Sequence, residues 1–279
     1  MANELNNTTA DVLIQEIWRK RILDERVANS VLVPRVTSLD AEAKQKGDII
    51  HVPIRPSVSV NDVGATGSLT NQALTYTEQQ LTVNKWREAT IDVVDKAAEQ
   101  SWADMLADFS PAFARALALD QDNALTALHA DFTSNEVGDS AAAVSDALLT
   151  AAIAKLLVLN VPIMNPNDVS FVFHSSKWAE FKQIDKFNNA NLTGSSQGGM
   201  LTQKVSDVYG IPVYFSTAIA SSTGYHNYLL HREAMAIATQ SNFKIEKLAR
   251  TKLSTPMVGH ILYGVKTVRQ DHGVDIVTA

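Results

Sequence analysis

The chain has 279 residues, of which 46% are apolar and only 19% charged, against about 25% charged in typical soluble domains. It contains no cysteine, which excludes disulfide frameworks, thiolate nucleophiles and cysteine-based zinc or iron–sulfur sites. A net charge of −6, with no basic stripe interleaved with aromatics, speaks against a nucleic-acid reader, and no run approaches the ~18 apolar residues of a membrane span.

The N-terminal MANELNNTTAD lacks a basic region followed by an apolar core, so no secretory signal is expected and a cytoplasmic origin is. Thr8 to Asn29 reads as an amphipathic helix, with Val12, Ile14, Ile17, Trp18, Ile22 and Val27 as its stripe. Val31-Leu32-Val33-Pro34 extends the chain, because proline disfavours helix in the residue before it. Ile49 to Ile54 reads as a strand that Pro53 places at an edge. The polar stretch from Arg55 to Gln72 follows, then a second strand-like run from Ala73 to Val83. Together these predict a long two-stranded arm. An isolated hairpin is marginal in water, so the arm needs its own body or another chain to hold it.

Lys85 to Asp95 returns to the body. Ser101 to Asp131 then carries apolar residues at helical spacing, among them Trp102, Phe109, Phe113, Leu117 and Leu125. Ser101 with Asp104 suggests an N-cap, and Ser110-Pro111 suggests a restart with proline at the first helical position. The expectation is a short helix to Phe109 and a rod of roughly 30 Å from Pro111 to about Ala130. A further helix spans Ser145 to Leu159, capped by Ser145. Asn165 to Asp168 is a turn and Val169 to Phe173 a strand, after which Ser175 or Ser176 caps a short helix through Phe181. Asn188 to Gly199 is expected to be a mobile loop. Ile211 to Ser216, Tyr225 to His231, Phe243 to Glu246, Val258 to Arg269 and Val274 to Val277 read as strands.

Charge is unevenly placed. Between Glu88 and Asp146 lie twelve acids against two bases, whereas Lys244 to Asp275 has six bases against three acids. These blocks are solvated faces, or else a means of contact between copies.

No chemical motif is complete. GSSQGG at 194–199 lacks the lysine and hydroxyl of a phosphate loop. His231-Arg232-Glu233 has zinc-deaminase spacing but not the cysteines, and is read as the start of a helix. Asp120 and Asp122 lack the further oxygens of a calcium loop and are read as a solvated or subunit-facing side of the rod. Seven histidines include no HExxH, and no G-x-S-x-G elbow marks a nucleophile, although a serine–histidine–acid triad stays open. His226 and His231 are expected on opposite faces of their strand. No catalytic, cofactor-binding or metal residue is assigned, and no cofactor is expected.

Two stretches carry a family resemblance. Leu156 to Phe181 (LLVLNVPIMNPNDVSFVFHSSKWAEF) gives a helix ending in NVP, a strand and a short helix. Tyr209 to Ile276 contains YGIPVYFS, LLHREAMAIATQ and LYGVKTVRQDHGVDI. Their order resembles the tailed-bacteriophage major capsid proteins of the Hong Kong 97-type fold. Gly210 and Val213 correspond to the family's Gly-x-x-Val strand, His231 and Ala234 to its His-x-x-Ala helix start, and Tyr263 to Arg269 to its terminal strand.

The resemblance implies an α+β fold with an N-arm at 1–46, an extended E-loop hairpin at 47–84 and a peripheral domain at 85–168 with 250–279, holding the spine helix. An axial domain would occupy 169–249. It implies a structural subunit, not an enzyme, that assembles as pentamers and hexamers into an icosahedral head around double-stranded DNA. Forty-six residues are too few for a built-in scaffolding region, so either a separate scaffolding protein or an already processed chain is expected; a portal is a further expected partner, and DNA is expected without sequence-specific contact. The expected location is the virion, after assembly in the host bacterial cytoplasm. Two other readings stay open: an encapsulin-like compartment shell, which the N-terminus does not resemble, and a cytoplasmic α+β enzyme.

Overall fold

The structure is a computed structural model that describes residues 30–44, 47–56, 58–63, 67, 69, 71–94, 105–163, 165, 167–184, 186, 207–247 and 254–279. The expected helix at 8–29, the Ser101 cap and the loop at 188–199 lie outside these residues.

Runs such as VSFVF and NYLL are rich in apolar residues and buried at every position, as in strands covered on both faces. They form the centre of a six-stranded sheet. Its strands are β5 (Glu136–Gly138), β6 (Val169–His174), β7 (Asp207–Val208), β8 (Ile211–Ser216), β9 (Tyr225–His231) and β12 (Gly273–Thr278), in the order β5-β12-β9-β6-β8-β7. Phe171 and Phe173 point to one face, with Leu229 and Ile276. There they meet Leu149, Ala152 and Leu156 of α3 (Asp146–Val158) and Phe181 of α4 (Trp178–Gln183). Val172, Tyr228 and Leu230 point the other way, toward Leu117, Leu125 and Phe132. Ser145 caps α3 as expected, accepting the Leu148 N–H at 3.3 Å.

A second sheet takes β1 (Thr37–Ser38), β4 (Lys85–Val94), β10 (Met235–Lys247) and β11 (Ser254–Thr267), in the order β1-β10-β11-β4. The expected strands at 243–246 and 258–269 are parts of these long β10 and β11, which pair antiparallel with register shifts between Thr239 and Lys244. β4 pairs along its whole length with β11, from Lys85 opposite Tyr263 to Val94 opposite Ser254. Across this sheet lies α2 (Met105–Thr126), whose Leu117 and Leu125 share a core with Ile261 and Tyr263.

Three local expectations are corrected. Pro111 does not restart a helix; it sits inside α2, which runs unbroken from Met105 to Thr126. Proline there lacks the N–H that would reach the carbonyl four residues back, so the helix continues with one backbone bond fewer. The rod ends at Thr126, and the backbone tightens into 3-10 turns from Ala127 to Asn135. Its 22 residues still make roughly 33 Å. His231 does not open a helix either. It ends β9, and a turn closed by Ala234 N–H to His231 O at 2.9 Å leads directly into β10. Neither Ser175 nor Ser176 caps α4. The His174 ring does the capping, its Nδ1 accepting the Ser176 N–H at 3.2 Å where a 3-10 turn precedes the helix.

The hairpin is β2 (Ile49–Ile54) against β3 (Thr77–Thr82), Ile49 opposite Thr82 and Ile54 opposite Thr77. Its base packs on the second sheet through Leu81, Val83, Ala236 and Ala238, with Ala43 of α1 (Asp40–Ala43) beside them.

Candidate functional site

Beyond Ile54 and Thr77 the legs of the hairpin carry no strand among the described residues, yet they remain tied. The Gln72 side chain accepts the Ser59 N–H at 3.1 Å and donates to the Ser59 carbonyl at 2.5 Å. His51 and Glu78 pair across the base at 3.1 Å on the exposed face. The arm is studded with large apolar side chains that its own chain leaves in water: Val58, Val60, Val63, Leu69, Leu74 and Tyr76 are all at least half exposed, Val60 by 98%. Trp86, at the start of β4, is 76% exposed. Lone exposed apolar residues are unremarkable, but six within one arm are more than a solvated loop requires.

Where this arm joins the body, a cavity of about 240 Å³ is lined by Thr37, Leu39, Val52, Ile54, Glu233 and Arg269. A separate apolar groove of about 490 Å³ runs along the far side of α3, lined by Val137, Ala151, Ala154, Val158 and Leu159.

The acids expected on a solvated or subunit-facing side of the rod hold partners within the chain. Asp122 is 1% exposed. Its Oδ1 accepts the Ser30 hydroxyl at 2.7 Å and the Leu32 and Val33 N–H groups at 3.2 Å, while Oδ2 accepts the Val31 N–H at 2.7 Å. One carboxylate thus satisfies the donors at the entrance of the 3-10 turn Val33–Arg35, acting as an N-cap supplied from a distant helix. Asp120 faces the second sheet, where Tyr263 donates its hydroxyl at 2.6 Å and Arg87 lies 3.3 Å away. Burial, and then the Asp120 hydrogen bond, push the Tyr263 hydroxyl well above its ordinary range.

Two histidine clusters come together, of which the sequence showed only the His231-x-Glu233 spacing. Ser222 Oγ stands 3.2 Å from His226 Nε2, and His226 Nδ1 stands 2.7 Å from Asp275 Oδ2. This is the order of a serine–histidine–acid relay, assembled from a loop, β9 and β12. Neither cavity includes any of the three residues, and the His129 ring is stacked on His226 at 4.0 Å. Its evident role is to pair the buried Asp275, whose carboxyl burial raises despite His226. The second cluster joins His231, Glu233 and His272, on the opposite face of β9 from His226, as their odd spacing requires. The lone pair of His174 is likewise structural, and burial lowers its pKa.

At the margin of the segment 187–206, Asp146 accepts from Lys186 at 2.5 Å and from the Tyr209 hydroxyl, and these bonds, Lys186 first, hold its carboxyl below the usual range. Lys177, nearly buried, pairs with Glu180 at 2.7 Å while Glu180 also accepts the Val144 N–H at 2.7 Å, which binds α4 to the entrance of α3.

The two sheets, the long α2 and the protruding hairpin define the class: this is the α+β Hong Kong 97-type fold of phage capsid subunits, as the sequence resemblance implied. A chain in a structure of Mycobacterium phage Che8 superposes with a TM-score of 0.81 at 22% identity, covering 94% of this chain and 96% of that one. A chain from the capsid of cyanophage P-SCSP1u gives 0.79 at 16% identity, over 100% and 97%. A chain from the capsid of a native GTA particle gives 0.76 at 11%, over 99% of both. No protein-family model and no curated protein matches the sequence. Among the described residues no helix is long and apolar enough to cross a membrane.

Proposed function

We propose that this chain is a major capsid protein, the structural subunit of an icosahedral phage head. Pentamers and hexamers of it would enclose double-stranded DNA. The observation that carries the reading is the apolar arm. A side chain such as Val60 exposed by 98% forfeits roughly 1.5–3 kcal/mol of burial, which a neighbouring subunit would recover. Repeated around a shell, that contact is a driving force for assembly. The fold supports it, since the capsid chains it resembles are matched over nearly their whole length.

In this reading residues 1–46 are the N-arm, anchored at Ser30 by Asp122, and 47–84 the E-loop. Residues 85–168 with 250–279 make the peripheral domain, with α2 as its spine, and 169–249 the axial domain. A separate scaffolding protein and a portal act during assembly in the bacterial cytoplasm, and DNA is packaged without sequence-specific contact. The finished location is the virion. The subunit is structural, so the Ser222–His226–Asp275 relay binds no acyl group, and a fluorophosphonate probe should leave Ser222 unlabelled.

Negative-stain microscopy of the purified protein tests the proposal. Shells, or rings of five and six, support it; a stable monomer at high concentration rejects it. Nuclease-protected DNA inside particles from infected cells separates a phage head from an encapsulin-like shell, which would hold an enzyme.

A further inference from the structure

Three potential metal ligands meet at one end of the six-stranded sheet. β9 and β12 run antiparallel with Leu230 opposite Gly273, so the residues just outside that pair, His231 and His272, face each other across the two strands. Their rings lie 5.3 Å apart at 78°. Glu233 joins them from the turn after β9, and one donor atom from each of the three lies within 4.8 Å of the others. Both histidines are 7% exposed, whereas Glu233 reaches solvent.

The hydrogen bonds decide where the lone pairs are. His272 Nδ1 sits 3.0 Å from Asp271 Oδ1, a carboxylate that can only accept, so Nδ1 carries the proton and Nε2 the lone pair. A carboxylate behind an imidazole is the usual outer support of a metal-ligating histidine. His231 Nδ1 accepts the Glu233 backbone N–H at 3.3 Å, so the neutral ring's lone pair is engaged there and ligation of an ion requires this long bond to be given up.

A cation already stands in this place. The Arg269 guanidinium has Nη1 3.4 Å from His272 Nε2 and Nε 3.6 Å from Glu233 Oε2. Its side chain is 38% exposed. The backbone beneath is fixed, since the Ala234 carbonyl accepts from Val268 at 2.9 Å and from Arg269 at 3.1 Å.

We propose that His231, Glu233 and His272 form a site for a divalent transition ion, with zinc the best match to two imidazoles and a carboxylate. A water would complete the tetrahedron. Bonds of about 2.0–2.2 Å put tetrahedral ligands roughly 3.3–3.5 Å apart, so the exposed Glu233 closes in and Arg269 leaves. The bound ion staples the β9–β10 turn to the start of β12. Because Arg269 and Glu233 also line the cavity beneath the hairpin base, occupancy reshapes the foot of the arm. The proposal stands whether or not the chain builds a capsid.

The test is titration of untagged, chelator-stripped full-length protein with Co²⁺, read by visible absorption, and with Zn²⁺, read by calorimetry. One ion per chain with a four-coordinate Co²⁺ spectrum is expected. Glu233→Gln, which alters only an exposed side chain, and His272→Ala should each weaken binding at least tenfold, and Asp271→Asn about 10–100-fold. Arg269→Gln should tighten it, a gain that a merely structural cluster would not give. Circular dichroism identifies any variant that fails to fold. Absence of saturable binding at one ion per chain overturns the proposal. So does binding unaffected by both Glu233→Gln and His272→Ala.

Discussion

The Asp122 carboxylate accepts the Ser30 hydroxyl at 2.7 Å, joining points 92 positions apart in sequence. With the three N–H groups it also takes from Val31, Leu32 and Val33, Asp122 fixes where the N-terminal segment leaves the body. Asp122→Ala strands those donors in a buried setting and should destabilise the unassembled subunit by about 2–4 kcal/mol. A lowered thermal midpoint, with faster proteolysis near residues 30–36, is the expected result. Asp122→Asn keeps an acceptor and should lose less.

The contact also shows what the sequence withheld. Phe113, Leu117 and Leu125 were readable as a buried stripe because their spacing is local. Asp122 lies three positions before Leu125, on the same side, and a carboxylate in an apolar stripe is itself a sign of a fixed partner. Its identity was beyond reach, because nothing local links residue 122 to residue 30. The same holds for β4. The EATIDV within KWREATIDVV does alternate polar and apolar, but its partner β11 lies far along the chain and nothing local points to it. By contrast β2, β8 and β9 were found at their observed ends, and α3 to within a residue, each carrying its own apolar run or cap. Of the histidine clusters the sequence offered only the H-x-E spacing of His231 and Glu233; His272, and the Asp275 that pairs with His226, come from a segment distant in sequence.

The hairpin lies on the body because Gly264 of β11 leaves room for it. A Cβ there would stand 2.3 Å from the Thr82 carbonyl oxygen and 3.0 Å from Leu81 Cδ2. The first is backbone and cannot rotate aside. Gly264→Ala should therefore lift β3, expose Leu81 and disturb assembly more than subunit folding. Hydrogen exchange at Leu81 and Thr82 would report the opening, and unchanged protection would count against this packing.

Removal of the arm beyond the paired strands separates folding from assembly. None of the described residues between 56 and 71 belongs to a buried core. A deletion from Pro56 to Asn71 should leave circular dichroism and the thermal midpoint of the subunit near those of the intact chain. Shell yield by sedimentation should fall sharply. Normal shells from the deleted chain would remove the arm from the assembly mechanism.

Alkaline pH should weaken the subunit through two tyrosines. Tyr228 gives its hydroxyl to the Thr126 carbonyl at 2.6 Å, and Tyr263 gives its own to Asp120 at 2.6 Å. Burial first, and nearby carboxylates after it, raise both pKa values above the ordinary value of about 10. The folded state therefore holds these protons after the unfolded chain has lost them. Below about pH 10 the stabilisation is complete; above it the unfolded state binds fewer protons, so stability falls with each further rise in pH. Denaturant melts between pH 9 and 11 should show the decline. Tyr263→Phe costs about 1 kcal/mol at neutral pH through the lost hydrogen bond, and should make the alkaline slope shallower. An equal slope in the variant would mean that Tyr263 does not carry its share of the linkage.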